Sequence, residues 1–205
     1  MREKEQATSI VYLRHGLTDY PDNRYYCDRK EDPALNSKGL DQAERIVARL
    51  RDLPIIAAYV SPSRRAQETA APTLKVFGLT PTIVKELRER DFGVWEGLTN
   101  EEIDQQFPDG RRMLVTNPMT YAPEGGENLI NFGKRIDGFV NELIKRHKGE
   151  TVLLVTHVGP IRAAVTTAIG IPITHYRRLV VANGSVTRID YTESWPNLMT
   201  FSLVP

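Results

Sequence analysis

Cys27 is the only cysteine in the chain, so no disulfide can form within it and no cysteine-based zinc site can be built from it. That scarcity fits a reducing compartment, and Cys27 itself reads as an incidental free thiol. Charge of one sign is not in excess either. Against 26 aspartates and glutamates there are 27 lysines and arginines, a formal net charge of +1. No global field draws the protein to nucleic acid or to an anionic membrane, so any anion must be held by local geometry. The longest apolar-looking span, 151–173, is interrupted by His157, Pro160, Arg162 and several glycines and threonines. It reads as a buried strand, a turn and a buried helix, not a membrane crossing. Residues 1–6 are polar and no apolar segment follows them before the first strand, so a secretory signal is not expected and a cytoplasmic location is. Internal repeats, low-complexity segments, a G-x-S-x-G elbow, a P-loop and a dinucleotide fingerprint are all missing.

What is present is ordinary globular material. In 205 residues, 40% are hydrophobic and 26% charged, enough for one well-buried core. We expect a polar tail at 1–8 and a single domain over 9–205. Strand patterns alternate with helix patterns. Ser9 to Gly16 begins with four consecutive apolar residues, Ile10-Val11-Tyr12-Leu13, and ends on Arg14-His15-Gly16. Residues 55–60 form a second apolar run, 82–84 a short third, and Thr151-Val152-Leu153-Leu154-Val155 the clearest of all, buried on both faces by its composition. Between them lie a helix from Asn36 or Ser37, where capping side chains stand, another over about 64–76, and a strongly amphipathic run over 127–148. Thr99 or Asn100 is expected to cap a short helix, and 111–126 to be loop. Asn183-Gly184, flanked by 178–182 and 185–191, carries a strong hairpin signal. The predicted fold is α/β, three-layered, with a mostly parallel central sheet and helices on both faces.

In such sheets ligands sit beyond the carboxyl ends of the strands. Three predicted strands end there in Arg14-His15-Gly16, in Ser61-Pro62-Ser63-Arg64-Arg65, and in Thr156-His157-Val158-Gly159. Were they neighbours, two arginines and two histidines would meet at one edge. Guanidinium groups offer paired donors to phosphoryl oxygens, and an imidazole can attack phosphorus and carry a covalent intermediate. The departing oxygen then needs a proton, which a carboxylic acid such as Glu89 can supply. His147, near a helix end, reads as structural; His175 has no matching motif, and Trp95 reads as core.

These segments together resemble the histidine phosphatase, or phosphoglycerate mutase-like, superfamily. The likeness rests on Arg14-His15-Gly16, Ser61-x-Ser63-x-Arg65-Ala66-x-x-Thr69-Ala70, Leu87-Arg88-Glu89-x-x-Phe92-Gly93-x-Trp95-Glu96-Gly97 and Thr156-His157-x-Gly159. Pro33-Ala34-Leu35-Asn36-x-x-Gly39-x-x-Gln42-Ala43 and Gly125-Gly126-Glu127 extend it, in order, over nearly the whole chain. The resemblance implies that His15 is the phosphorylated nucleophile, Arg14 and Arg65 hold the phosphoryl group, His157 donates to it together with the backbone N–H of Val158, and Glu89 is the proton donor. No metal or other cofactor is implied. After Arg-His-Gly the chain departs from the family pattern: Leu17 follows, Thr18 keeps the usual hydroxyl, and Pro21 stands where a phosphate-binding asparagine is expected, leaving Asn23 as a substitute.

The activity implied is a metal-independent phosphomonoesterase acting on a small phosphorylated metabolite, with phosphate as product and neither nucleic acid nor membrane as partner. A homodimer is compatible with it. Within that branch the motif over 92–97 resembles members acting on α-ribazole phosphate or on sugar phosphates. One alternative is a phosphoglycerate mutase using the same residues, against which the short span from Glu89 to His157 argues. A second alternative is a non-catalytic phosphate-binding protein on the same fold.

Overall fold

The computed structural model describes residues 7–21, 23–28 and 30–205. Of the tail expected at 1–8, residues 1–6 lie outside the described residues, and Thr8 is already part of the first strand. One six-stranded sheet organises the rest. Its strands are β1 (Thr8–Arg14), β2 (Ile55–Val60), β3 (Thr82–Ile83), β4 (Thr151–Thr156), β5 (Val186–Tyr191) and β6 (Pro196–Leu203), in the order β3-β2-β4-β1-β5-β6. The first four in that order run parallel, and β5 and β6 are antiparallel additions on one side.

Helices α1 (Ser37–Leu50) and α2 (Arg64–Phe77) cover one face, and α5 (Leu129–Arg146) and α6 (Val158–Ala168) the other. β4 is buried at every position because it lies between β2 and β1 with helices on both faces. Its alternate residues enter opposite cores, Val152 and Leu154 on the α5–α6 side and Leu153 and Val155 on the α1–α2 side. At about 1.5–3 kcal/mol per fully buried aliphatic side chain, this strand is a principal anchor of the fold. α1 starts where the sequence places it, with Asn36 Oδ1 accepting from the Gly39 amide at 2.9 Å. Two short helices, α3 (Asn100–Gln106) and α4 (Gly110–Thr116), form a separate small core around Trp95, Ile103 and Leu114. α3 opens on a capping box between Thr99 and Glu102.

Three expectations need correction. Part of the loop expected at 111–126 is helical, as α4, because Leu114 has the Trp95 cluster to pack against. The segment 178–182 is not a strand, and Asn183-Gly184 is not a hairpin turn. It is a turn leading into β5 and is held by the end of β1, with the Gly184 amide donating to the His15 carbonyl at 3.1 Å. The true hairpin joins β5 to β6 through 192–195, and β6, whose burial is only partial, has too weak an apolar pattern to stand out in the sequence.

The chain runs from β1 past the place of β4 to β2, adds β3 outside it, and only later returns to insert β4 between β2 and β1. The strand order therefore switches direction at these three strands, and a crevice opens beyond their carboxyl ends.

Candidate active site

Register sets the three strand ends level. Arg14 pairs with Thr156 across β1 and β4, and Val60 with Val155 across β2 and β4. Backbone bonds continue the ladder one residue further, His15 N to Thr156 O at 3.0 Å and Ser61 N to Val155 O at 2.9 Å. His15, Ser61 and His157 thus leave the sheet side by side. The rings of His15 and His157 lie 5.2 Å apart between centroids. Arg65, in the first turn of α2, reaches them because that helix begins at Arg64, shortly after β2 ends at Val60.

The turn after β1 is held tightly. The Gly16 amide donates to Thr69 Oγ1 at 3.0 Å, and that hydroxyl donates to the Arg65 carbonyl at 2.6 Å. One buried threonine therefore ties the His15 turn to the helix bearing Arg65. A side chain is excluded at Gly16, where a Cβ would stand 2.6 Å from the Gly39 carbonyl oxygen of α1. His15 Nδ1 lies 2.8 Å from the Gly16 carbonyl oxygen, so Nδ1 carries the proton and Nε2 keeps its lone pair. Burial, then Arg65 and Arg14, hold the His15 pKa well below the usual imidazole range. His157 is lowered likewise, by burial first and then by Arg65 and His15. Both shifts favour the neutral imidazole.

His157 is fully buried and engaged at both nitrogens. Arg65 Nη2 donates to Nδ1 at 2.8 Å, and Nε2 lies 2.8 Å from Ser61 Oγ and 3.3 Å from Ser63 Oγ. The two serines of the Ser61-x-Ser63 motif thus serve this histidine. Arg14, beside His15, donates through Nη1 to the Val181 carbonyl at 2.5 Å.

Glu89 enters from the loop after β3. Both its oxygens accept backbone amides, Oε1 from Arg90 at 2.7 Å and Oε2 from Gly159, in the first turn of α6, at 3.0 Å. The approach is so close that a Cβ at Gly159 would fall 1.9 Å from Oε1. The segment carrying Glu89 is fixed from behind by the Gly125-Gly126-Glu127 motif. Arg135 grips both Glu127 carboxylate oxygens at 2.7 Å, and Arg90 Nε and Nη2 donate to the Glu127 carbonyl at 3.0 and 2.9 Å. Gly93, at φ +56°, meets Glu124 so closely that a Cβ would clash with its carbonyl.

The described residues of 17–32 are irregular yet anchored on the 96–102 segment. The Cys27 amide donates to Glu96 Oε1 at 3.2 Å, Lys30 Nζ to the Glu96 carbonyl at 2.9 Å, and the Tyr25 amide to the Leu98 carbonyl at 3.0 Å. Cys27 is buried, which pushes its thiol pKa up and keeps it in the unreactive form. The loop reaches Arg65 through Tyr26, whose hydroxyl accepts from Nη1 at 2.7 Å and whose ring lies 4.2 Å from the guanidinium, and through Asp28. Tyr20 stacks on Tyr26 at 4.2 Å.

Together these groups wall a cavity of about 550 Å³, the size of a small-metabolite site and more than a phosphoryl group alone fills. Arg14, His15, Arg65, Glu89 and Val158 line it, as do Thr18 and Asn23 from the loop. Thr18 Oγ1 accepts from the Tyr20 amide at 3.3 Å, and Asn23 stands exposed near the mouth. Of the eight predicted site residues only His157 does not face the cavity; it lies behind Arg65. Sequence reasoning assigned no role to Thr69, Ser61 or Ser63, although all three stand in the quoted motif, and it missed Tyr26, Asp28, Arg162 and Arg177, which no motif marks. His147 caps α5 and bonds Tyr59 and Glu150 at 2.7 and 2.8 Å, away from the site. Among the described residues no group of three or more His, Cys, Asp or Glu side chains is placed to hold a metal ion, and no helix is long and apolar enough to cross a membrane.

Comparison with known proteins matches residues 10–203 to the family model of the histidine phosphatase superfamily (branch 1). Phosphoserine phosphatase 1 of Hydrogenobacter thermophilus is 30% identical over 187 residues, 90% of this chain and 87% of that protein. A probable phosphoglycerate mutase of Salmonella choleraesuis is 32% identical over 185 residues, 90% of this chain and 86% of that protein. Among solved structures, the mycobacterial glucosyl-3-phosphoglycerate phosphatase superimposes with a TM-score of 0.84 at 29% identity, covering 96% of this chain and 99% of that one.

Proposed function

The chain belongs to the histidine phosphatase superfamily, branch 1, and is a phosphatase; from this we propose that it hydrolyses small phosphorylated metabolites through a phosphohistidine formed on His15. The observation that carries the reading is the setting of His15: Nδ1 donates to the Gly16 carbonyl, which leaves the Nε2 lone pair free, in a cavity also lined by Arg14 and Arg65. An imidazole with a free Nε2 lone pair is a nucleophile, and guanidinium groups beside it attract a phosphoryl dianion and stabilise the charge on its equatorial oxygens during transfer.

In the first step Nε2 bonds to phosphorus as the bond to the ester oxygen breaks, and the electron pair leaves with that oxygen. Glu89 in its protonated form delivers the proton, so the product departs as a neutral alcohol. In the second step water attacks phosphorus, Glu89 takes the proton it sheds, the P–N bond breaks, and phosphate and His15 are restored. The Val158 amide, in the first turn of α6, offers a donor and the positive end of the helix dipole to the phosphoryl group. Once the substrate draws Arg65 toward itself, His157 Nδ1, freed from the Arg65 donor, takes up a proton in the field of the dianion and donates it to a phosphoryl oxygen. Thr18 and Asn23 contact the bound ester from the loop. The small metabolite class fits both the cavity volume and the substrates for which the relatives are named.

The test is an assay with excess chelator against a panel of phosphomonoesters and 3-phosphoglycerate, with acid-labile phosphoenzyme trapped in parallel. Phosphate release with a trapped phosphoenzyme is expected, and both should vanish in His15→Ala. Full activity of that variant would overturn the mechanism. Conversion of 3-phosphoglycerate to 2-phosphoglycerate without phosphate release would establish a mutase instead.

A further inference from the structure

Six arginines line the cavity. Arg14 and Arg65 are those assigned to the phosphoryl group; Arg24, Arg90, Arg162 and Arg177 are the others. The second group divides by what each arginine already holds. Arg90 is buried and directs its donors to the Glu127 carbonyl and the Tyr176 hydroxyl. Arg24 is bound to the Gly97 carbonyl and paired with Glu102 at 3.1 Å. These two are occupied with holding the fold.

Arg162 and Arg177 hold fewer partners, all neutral: the Leu179 carbonyl for the first, the Tyr176 and Tyr25 hydroxyls for the second. Neither forms an ion pair with any acidic side chain among the described residues. Arg162 stands on α6 one turn beyond Val158 and Gly159, on the face that bears them toward the cavity. Its Nε donates to the Leu179 carbonyl at 2.7 Å, which fixes the plane of the guanidinium while its outer nitrogens keep their donors. The side chain is half-buried, and burial lowers its pKa, with Glu89 acting in the opposite direction and Arg177 adding to the lowering. A partly desolvated cation with no ion-pair partner thus lies within the influence of Glu89. Arg177 closes the Ile173–Arg178 segment, where the Tyr176 and Tyr25 hydroxyls act on it. It lines both the main cavity and a second cavity that shares Tyr25 and Asn100 with it.

Two guanidinium groups that line the cavity in addition to Arg14 and Arg65, neither in an ion pair with an acidic side chain among the described residues, are a site for a second anion. We propose that the preferred substrate is a phosphomonoester whose alcohol portion itself carries a negative group, a carboxylate or a second phosphate, and that Arg162 and Arg177 bind that group. This inference rests on the phosphatase reading above and specifies its leaving group. Anchoring the departing alcohol at its far end also holds its ester oxygen beside Glu89, so the contact contributes to orientation as well as affinity.

Matched substrate pairs provide the test. O-Phosphoserine is compared with O-phosphoethanolamine, and 3-phosphoglycerate with glycerol 3-phosphate, each pair differing in the carboxylate; fructose 1,6-bisphosphate is compared with fructose 6-phosphate for a second phosphate. The readout is the ratio of kcat/KM within each pair, measured for the native enzyme and for Arg162→Gln, Arg177→Gln and Arg162→Lys. Charge-assisted hydrogen bonds to one anion predict a ratio of roughly tenfold to a hundredfold in favour of the anionic member in at least one class of pair. The same ratio should fall to within about threefold of unity in the two glutamine variants and be partly retained in Arg162→Lys. Which pairs show the effect separates carboxylate from phosphate. Ratios near unity in the native enzyme, or a native preference left intact in both glutamine variants, would overturn the inference. Should Arg162→Gln fail to fold, exposed Arg177 and Arg162→Lys still decide the matter. p-Nitrophenyl phosphate, assayed with the native enzyme alongside, separates the two readings: its hydrolysis with unit ratios rejects the second-anion site and leaves the phosphatase standing, whereas no phosphate release from any ester rejects the phosphatase.

Discussion

The carboxylate of Asp28 lies against the guanidinium of Arg65, both side chains closed to solvent at 2% and 1% exposure. The loop over 17–32 is thereby fastened to the arginine at the floor of the cavity, with Asp28 itself in the left-handed region at φ +70°. Arg65 is held before any substrate arrives, by Asp28 and Tyr26 on one nitrogen and His157 on the other.

Removing the Asp28 charge while keeping its shape should expose what that pair contributes. A buried ion pair broken on one side leaves an uncompensated charge, a loss of about 3 kcal/mol or more. Asp28→Asn is therefore expected to unfold at a lower temperature. Phosphate should raise its midpoint by more than it raises that of the native protein, because the anion replaces the lost carboxylate. Thermal unfolding with and without phosphate is the measurement, and an unchanged midpoint would show that the pair carries no net stability.

Gly159 is where α6 meets Glu89. Gly159→Ala favours the helix by up to about 1 kcal/mol but drives a methyl group into the carboxylate, 1.9 Å from Oε1. Glu89 must move. The expected result is a fall in kcat of roughly 10²-fold or more, the usual worth of a positioned general acid, with KM and the circular dichroism spectrum close to native. A kcat within about threefold of native would mean that the proton comes from elsewhere.

Glu89→Gln keeps an acceptor for one of the two amides, Arg90 or Gly159, and removes the proton source. Hydrolysis of alkyl phosphates should slow by roughly 10²–10⁴-fold, and that of p-nitrophenyl phosphate far less, since its leaving group needs no proton. Equal slowing of both, followed by steady-state assay, would assign the acid to another group.

The depressed pKa values of His15 and His157 make a pH prediction with a definite sign. Both shifts favour the neutral ring in the folded protein at a pH where a free imidazole, near 6.5, is half protonated. As pH falls below about 6.5 the unfolded chain takes up protons that the folded chain does not, so stability falls with pH through that window and is regained above it. Imidazole nitrogen resonances of these two residues should keep the neutral pattern through pH 6.5 in the phosphate-free protein. Titration of either near 6.5 would contradict the burial and charge arrangement of the site.

Local pattern was enough for much of this. The apolar run ending in Arg14-His15-Gly16 and the doubly buried run ending in Thr156-His157 declare themselves as strands because a buried strand needs nothing but apolar residues on both faces. Asn36 declares a helix start because capping is a contact between residues three apart. The ordered motifs then identified the family, and with it Glu89 among several neighbouring charges that residue chemistry alone does not distinguish. The position of β4 between β2 and β1, which sets His157 beside His15, required the sheet. So did the use of Asn183-Gly184 as a clasp on the end of β1, because the local hairpin signal yields to pairing with distant strands. The Asp28–Arg65 pair spans 37 positions, and Arg162 and Arg177 reach one cavity from a helix and the segment after it. Such meetings depend on strand order and on which charges find partners, quantities set by long-range packing that no local periodicity encodes.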